Sequence, residues 1–135
     1  MKLIVRDADY AMSALVFMSK MAKAQKKDVF TAGEIATEED LPGRFLRRIL
    51  KKLSKAKILH SYKGQDGGFS LAKPAREIRF SDIVRIFQGD IDITNCFLRG
   101  VSCPETKKCI LRKKLKVISN LVNKELGKIT LASLL

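Results

Sequence analysis

Apolar residues return at helical intervals near the start of the chain. Ala11, Leu15, Met18 and Ala22 fall on one line, and Ala14, Val16 and Met21 widen it. This spacing predicts a largely buried first helix over residues 8–24, with Met12, Met18 and Met21 as core side chains. Lys26, Lys27 and Asp28 break the pattern. Thr31 then stands three residues before Glu34, the spacing of a capping box, and predicts a short helix through AGEIA. Leu41-Pro42-Gly43 marks the next turn, where Pro42 can open a helix because its missing N–H has no partner to lose.

In LPGRFLRRILKKLSKAKIL, Leu46, Ile49, Leu50 and Leu53 fall on one helical face, and Phe45 reads as a further core residue. Ile58 to Lys63 predicts a strand, Gly64 to Gly68 a tight loop, and Phe69 to Ala72 the returning strand, with Phe69 in the core. Pro74 ends this hairpin. Ser81 is the expected cap of another helix, which carries Ile83, Val84, Ile86 and Phe87 and stops at Gly89. Further on, Leu111, Leu115, Ile118 and Val122 step by four, three and four, with Ile110, Leu121 and Leu126 beside them. That narrow seam predicts a long helix, ended by Gly127, that pairs with a second copy of the chain. The tail ITLASLL is expected to pack back on the domain. The fold class is therefore mainly α with a small β-hairpin: a winged helix-turn-helix with a long C-terminal dimerisation helix. Residues 1–80 form the winged part, and residues 81–135 carry a cysteine loop and the dimerisation helix, the two making one compact unit.

Charge gives this outline a partner. Lys and Arg number 27 against 14 Asp and Glu, a formal charge of +13, which favours a polyanion: nucleic acid or an anionic membrane surface. From Leu41 to Lys63 there are eight basic residues and no acidic one. A basic helix followed directly by a glycine-tipped hairpin is the order of a winged helix, and a lipid-binding helix needs no wing. Double-stranded DNA is thus the expected partner. Arg44, Arg47, Arg48, Lys51 and Lys52 are the candidate contacts on the helix, and Lys63, Gly64, Gly67 and Gly68 those on the wing. No paired carboxylates, no nucleophile beside a base and no phosphate-cradling motif stand out, so neither an enzyme nor a small-molecule substrate is expected. His60, the single histidine, has no assigned role. Arg6, Asp7, Asp9, Lys20 and Lys23 interrupt the N-terminal apolar run, which predicts a soluble, cytoplasmic protein without a membrane partner.

All three cysteines, Cys96, Cys103 and Cys109, lie in NCFLRGVSCPETKKCILRKKL. In a reducing compartment they suit thiol, redox or metal chemistry better than disulfides. Zinc is the weaker metal reading, because structural zinc cysteines usually stand two to four residues apart. Plain thiols in an unloaded loop are the bland one.

The winged helix, cysteine loop and long helix, in that order, resemble the Rrf-type family of bacterial transcription regulators. The matching stretches are DADYAM, RFLRRILKKLSKAKIL, GQDGGFSLAKPAREI and the clustered cysteines. The resemblance implies a homodimeric DNA-binding regulator in which Cys96, Cys103 and Cys109 hold a 2Fe–2S or 4Fe–4S cluster that senses redox state, nitric oxide or iron–sulfur status. The spacing here is C-x6-C-x5-C, one residue longer in the first gap than the family pattern. Arg112 stands where the IscR-like branch places a histidine ligand, and arginine cannot ligate. The NsrR-like branch takes an acidic residue near the partner's N-terminus instead; Asp9 fits that place and Asp7 is the other choice. Lys107, Lys108, Arg112, Lys113 and Lys114 would offset the charge of a loaded cluster. The alternative is a cluster-free winged-helix repressor that responds through thiol oxidation or a partner protein.

Overall fold

The computed structural model describes residues 3–65, 67–94 and 109–135. In chain order the elements are α1 (Arg6–Gln25), α2 (Ala32–Glu38), α3 (Gly43–Lys55), β1 (Leu59–Tyr62), β2 (Gly68–Leu71), α4 (Phe80–Gln88) and α5 (Ile110–Leu126). Short 3-10 turns lie at Ala75–Glu77 and Ala132–Leu134. The two apolar stripes predicted near the N-terminus meet in one core. Ala11, Ala14, Leu15 and Met18 of α1 pack with Leu46, Ile49, Leu50 and Leu53 of α3, and the hairpin adds Leu59 and Phe69. Each large aliphatic side chain buried there contributes about 1.5–3 kcal/mol against chain entropy.

The capping box of α2 is present in both directions. Glu34 N donates to Thr31 Oγ1 at 3.1 Å, and Thr31 N donates to Glu34 Oε2 at 3.1 Å. Lys27 donates to the same carboxylate at 2.7 Å and is the main cause holding Glu34 below its usual acidity range. Leu41 N then donates to Ala36 O at 2.9 Å, which closes the turn before Pro42 and sends the chain into α3. A short helix, a tight turn and a second helix are thus locked by local bonds.

The hairpin pairs Leu59 with Leu71 and Tyr62 with Gly68. The outer edge of β2 is taken by Phe30: Phe30 N donates to Phe69 O at 2.9 Å, and Phe69 N returns a bond to Phe30 O at 2.8 Å. The wing is therefore anchored to the chain just before α2. Gly68 is required by that contact. Its φ is +153°, and a Cβ there would lie 2.6 Å from Phe30 O. Gly68→Ala should cost more than about 1 kcal/mol, read as a lower urea midpoint with an unchanged slope.

Two of the helices differ from expectation. Helix α4 begins at Phe80, two residues earlier than a Ser81 cap would allow, and its cap position is Arg79. Phe80 N donates to Ile129 O at 2.8 Å, so the returning C-terminal tail sets the helix start, while the Asp82 carboxylate accepts from Arg79 N at 3.4 Å. The tail itself packs back as expected, with Leu131 fully buried and its N–H on Ile78 O.

The second of these is α5. Its apolar residues do not form one seam. Leu115, Val122 and Leu126 pack against Val84, Ile91 and Ile93 of the same chain. Leu111 and Ile118 point outward with Ile110, Val117 and Leu121. The reason is that the helix docks through polar residues. Ser119 Oγ accepts from Ile93 N at 2.8 Å. Asn123 takes both backbone groups of Ile91, accepting from its N–H at 2.9 Å and donating to its C=O at 2.8 Å. Fully buried Ser119 brings the backbones close, and the wide apolar arc is divided between an inner edge and an outer face. Helix α4 joins both halves of the chain: Ile83 lies in the core of α1 and α3, and Gln88 bonds Val5 N at 2.8 Å and Leu3 O at 3.0 Å.

Candidate nucleic-acid interface

The burial of Leu46, Ile49, Leu50 and Leu53 decides what α3 shows to solvent. Arg44, Arg47, Arg48, Lys51, Lys52 and Lys55 are all exposed. Arg44, Arg47, Lys51 and Lys55 line one groove of about 670 Å³ whose other wall is Ala32 and Gly33 at the start of α2. Among the described residues, none of these four has an acidic partner at ion-pair distance. Four cations without counter-ions repel one another, and an external polyanion relieves that repulsion.

The other two basic residues of the helix, Arg48, which also lines this groove, and Lys52, are held by neighbouring side chains. Arg48 Nη2 donates to Asp7 Oδ2 at 3.3 Å, an exposed pair worth little to stability. Its guanidinium also lies over the Phe45 ring, 5.2 Å from the centroid. Lys52 Nζ rests over the Phe87 ring of α4 at 5.2 Å. Phe45 corrects the sequence expectation: it is 45% exposed and belongs to no core cluster. The stripe of Leu46, Ile49, Leu50 and Leu53 already satisfies the helical interval without it, which is the signal that could have excluded it. Phe69, Met12 and Met18 are core residues as expected, and Met21 packs against that core half-buried. His60 is exposed on β1.

On the wing, Lys63 and Gly64 are exposed at the tip, with Gly64 at φ +98° and its C=O accepting from Gly67 N at 3.0 Å. Gly67 and Gly68 sit deeper, packed against Tyr62 O and Phe30 O. They shape the hairpin that presents Lys63.

Cys109 is a free, half-exposed thiol immediately before α5. Cys96 and Cys103 lie outside the described residues. Asp9 is exposed in the first turn of α1, two residues after the Asp7 that pairs with Arg48. Among the described residues no three ligating groups converge. At the other end of the cysteine loop, Asp92 accepts from the Thr94 hydroxyl and from Thr94 N. The Thr94 hydroxyl chiefly, with Lys116 and Arg112 adding charge attraction, holds this carboxyl below its usual range. Sequence reasoning assigned no role to Asp92, Ser119 or Asn123.

A helix-turn-helix whose second helix carries an acid-free cationic face, followed by an anchored hairpin, defines a winged-helix transcriptional regulator. The sequence profile of one family, described as "Rrf2: Iron-dependent Transcriptional regulator", matches residues 4–135. The chain belongs to the Rrf2 family, whose members are DNA-binding regulators of transcription and not enzymes. An rrf2-like HTH-type transcriptional regulator of Rhodobacter capsulatus is 34% identical, over 82% of this chain and 77% of its own length. The HTH-type transcriptional regulator NsrR of Oceanobacillus iheyensis is 29% identical, over 77% of this chain and 69% of its own. Two solved structures share the fold. T. potens IscR has a TM-score of 0.76 at 20% identity, covering 99% of this chain and 85% of that one. CymR, the global cysteine regulator of B. subtilis, has a TM-score of 0.78 at 22% identity, covering 99% and 96%. Among the described residues no helix is long and apolar enough to cross a membrane.

Proposed function

We propose that the chain acts as a homodimer whose two α3 helices enter successive major grooves of one duplex and whose cysteine loop receives a signal. The observation that carries this reading is the pair of faces α3 and α5 leave in solvent. One is cationic and without acids. The other is apolar, with Ile110, Leu111, Val117, Ile118 and Leu121 between 46% and 70% exposed. An apolar strip of that size on a helix already docked by its opposite edge calls for a second copy. Arg44, Arg47 and Lys51 contact bases and phosphates, and Lys63 grips the backbone from the wing. Two such heads read half-sites about one helical turn, ~34 Å, apart.

The signal site is the cysteine loop. Three thiols and one carboxylate suit an iron–sulfur cluster, and the family description as iron-dependent supports that choice. Cys96, Cys103 and Cys109 would hold it, with Asp9 from the partner subunit as fourth ligand. Such a group supplies a site open to small oxidants and nitric oxide. Cys109 abuts the first turn of α5, so a change at its sulfur bears directly on the helix that spaces the two reading heads. The half-exposed thiol also suits direct oxidation, the second reading. Anaerobic purification with iron and sulfide assay separates them. Stoichiometric iron and sulfide, released faster from Asp9→Ala, is the expected result. A colourless, iron-free protein that still binds duplex removes the cluster and leaves thiol chemistry.

A further inference from the structure

We infer that Phe45 and Arg48 form one reading unit that recognises a thymine beside a guanine in the major groove. The inference rests on the DNA-binding reading above and deepens it.

Phe45 is the one large apolar residue of α3 that the core leaves out. Leu46, Ile49, Leu50 and Leu53 of the same helix are at most 1% exposed, whereas Phe45 keeps 45% of its surface in water. It stands in the first turn, among Gly43, Arg44 and Phe45, and the N-terminal turn of a recognition helix is the part that meets base edges. An aromatic ring placed there, amid cations, is left by the fold with nearly half of its surface in water. It gains on contact with an apolar surface that becomes available only in the complex. In the major groove that surface is the thymine 5-methyl group.

Arg48 is placed on the same ring. Its guanidinium stacks 5.2 Å from the Phe45 centroid, one helical turn further on. One of its nitrogens donates to Asp7 Oδ2 at 3.3 Å. Ring and carboxylate together favour one orientation of the fork and, among the described residues, leave its remaining N–H groups without a partner. A fork held in plane matches guanine O6 and N7, the commonest specific contact of arginine with DNA. Because the ring and the fork are stacked, the methyl and the guanine they touch belong to neighbouring base pairs. Asp7 is then a positioning residue. It aims Arg48 and, as an anion beside the groove, weakens binding to duplexes that offer no guanine there.

The test uses the full-length protein and the duplex it enriches from a randomised library. Each thymine is replaced in turn by deoxyuridine, which removes only the methyl group, and each guanine by 7-deazaguanine, which removes only N7. One thymine per half-site should weaken binding roughly fourfold on demethylation, the worth of one buried methyl group. Phe45→Ala should abolish that sensitivity while the deoxyuridine duplex is bound equally by both proteins. The adjacent guanine should show the same behaviour with Arg48→Ala. Asp7→Asn should raise affinity for random duplex and lower discrimination at that guanine. Because the scan runs first on the unmodified protein, it does not depend on a variant folding. An enriched duplex with no methyl-sensitive thymine, or equal sensitivity in Phe45→Ala, overturns the inference alone. A protein that enriches no duplex overturns the DNA-binding reading with it.

Discussion

Reversing two charges on α3, Arg44→Glu with Arg47→Glu, should abolish duplex binding and leave the fold intact. Both side chains are exposed, both line the groove beside α2, and neither has an acidic partner among the described residues. Surface substitutions of this kind usually shift stability by less than ~0.5 kcal/mol. Here they also relieve repulsion with Lys51 and Lys55. The effect on DNA is of another order. A dimer would exchange four cations facing phosphates for four anions, and the loss in affinity should be roughly a thousandfold or more at low salt. Thermal unfolding and fluorescence anisotropy on the same preparation separate the two effects. A large fall in midpoint would mean that these arginines hold the domain together rather than the DNA.

The second large effect is expected at the opposite end of the molecule. Ile118→Glu with Leu121→Glu should give a folded monomer that binds a two-half-site duplex weakly. These residues are 46% and 56% exposed, and the edge that docks α5 to its own chain, Leu115, Ser119, Val122 and Leu126, is left untouched. Two carboxylates brought into an apolar interface cannot keep their water and find no partner there. Losing the dimer removes the effective-concentration gain of two linked heads, on the order of 10²–10⁴ in affinity. Sedimentation velocity reads the first consequence and anisotropy the second. A double variant that sediments as a dimer would move the subunit contact elsewhere.

What the amino-acid pattern revealed, and what it concealed, follows from the kind of contact involved. Buried apolar contacts repeat at helical intervals, so the stripes of α1 and α3 were legible. Local hydrogen bonds leave local signatures, so the capping box at Thr31 and Glu34 and the glycine-tipped hairpin were legible too. Long-range polar contacts leave none. Nothing near Ser119 or Asn123 in sequence announces that they bond Ile93 and Ile91 across more than twenty residues. Without them the apolar arc of α5 reads as a single seam. The start of α4 was misplaced for the same reason, since its first N–H is satisfied by Ile129 from the tail. In the candidate site, the basic face could be read from the absence of acids. The tethering of Arg48 by Asp7 could not, because forty-one residues separate the ion pair.

The central claim is that two copies of α3, presented by one dimer, read duplex DNA through an electrostatic and base-specific face. Its most direct test is the salt dependence of binding by the unmodified protein, measured by anisotropy on an enriched duplex and on the same duplex with one half-site scrambled. The account predicts a log–log slope that is steep for the intact site, near −0.9 for each phosphate neutralised, and about half as steep when only one half-site is engaged. No retention at low ionic strength, or a slope indifferent to the second half-site, would contradict it.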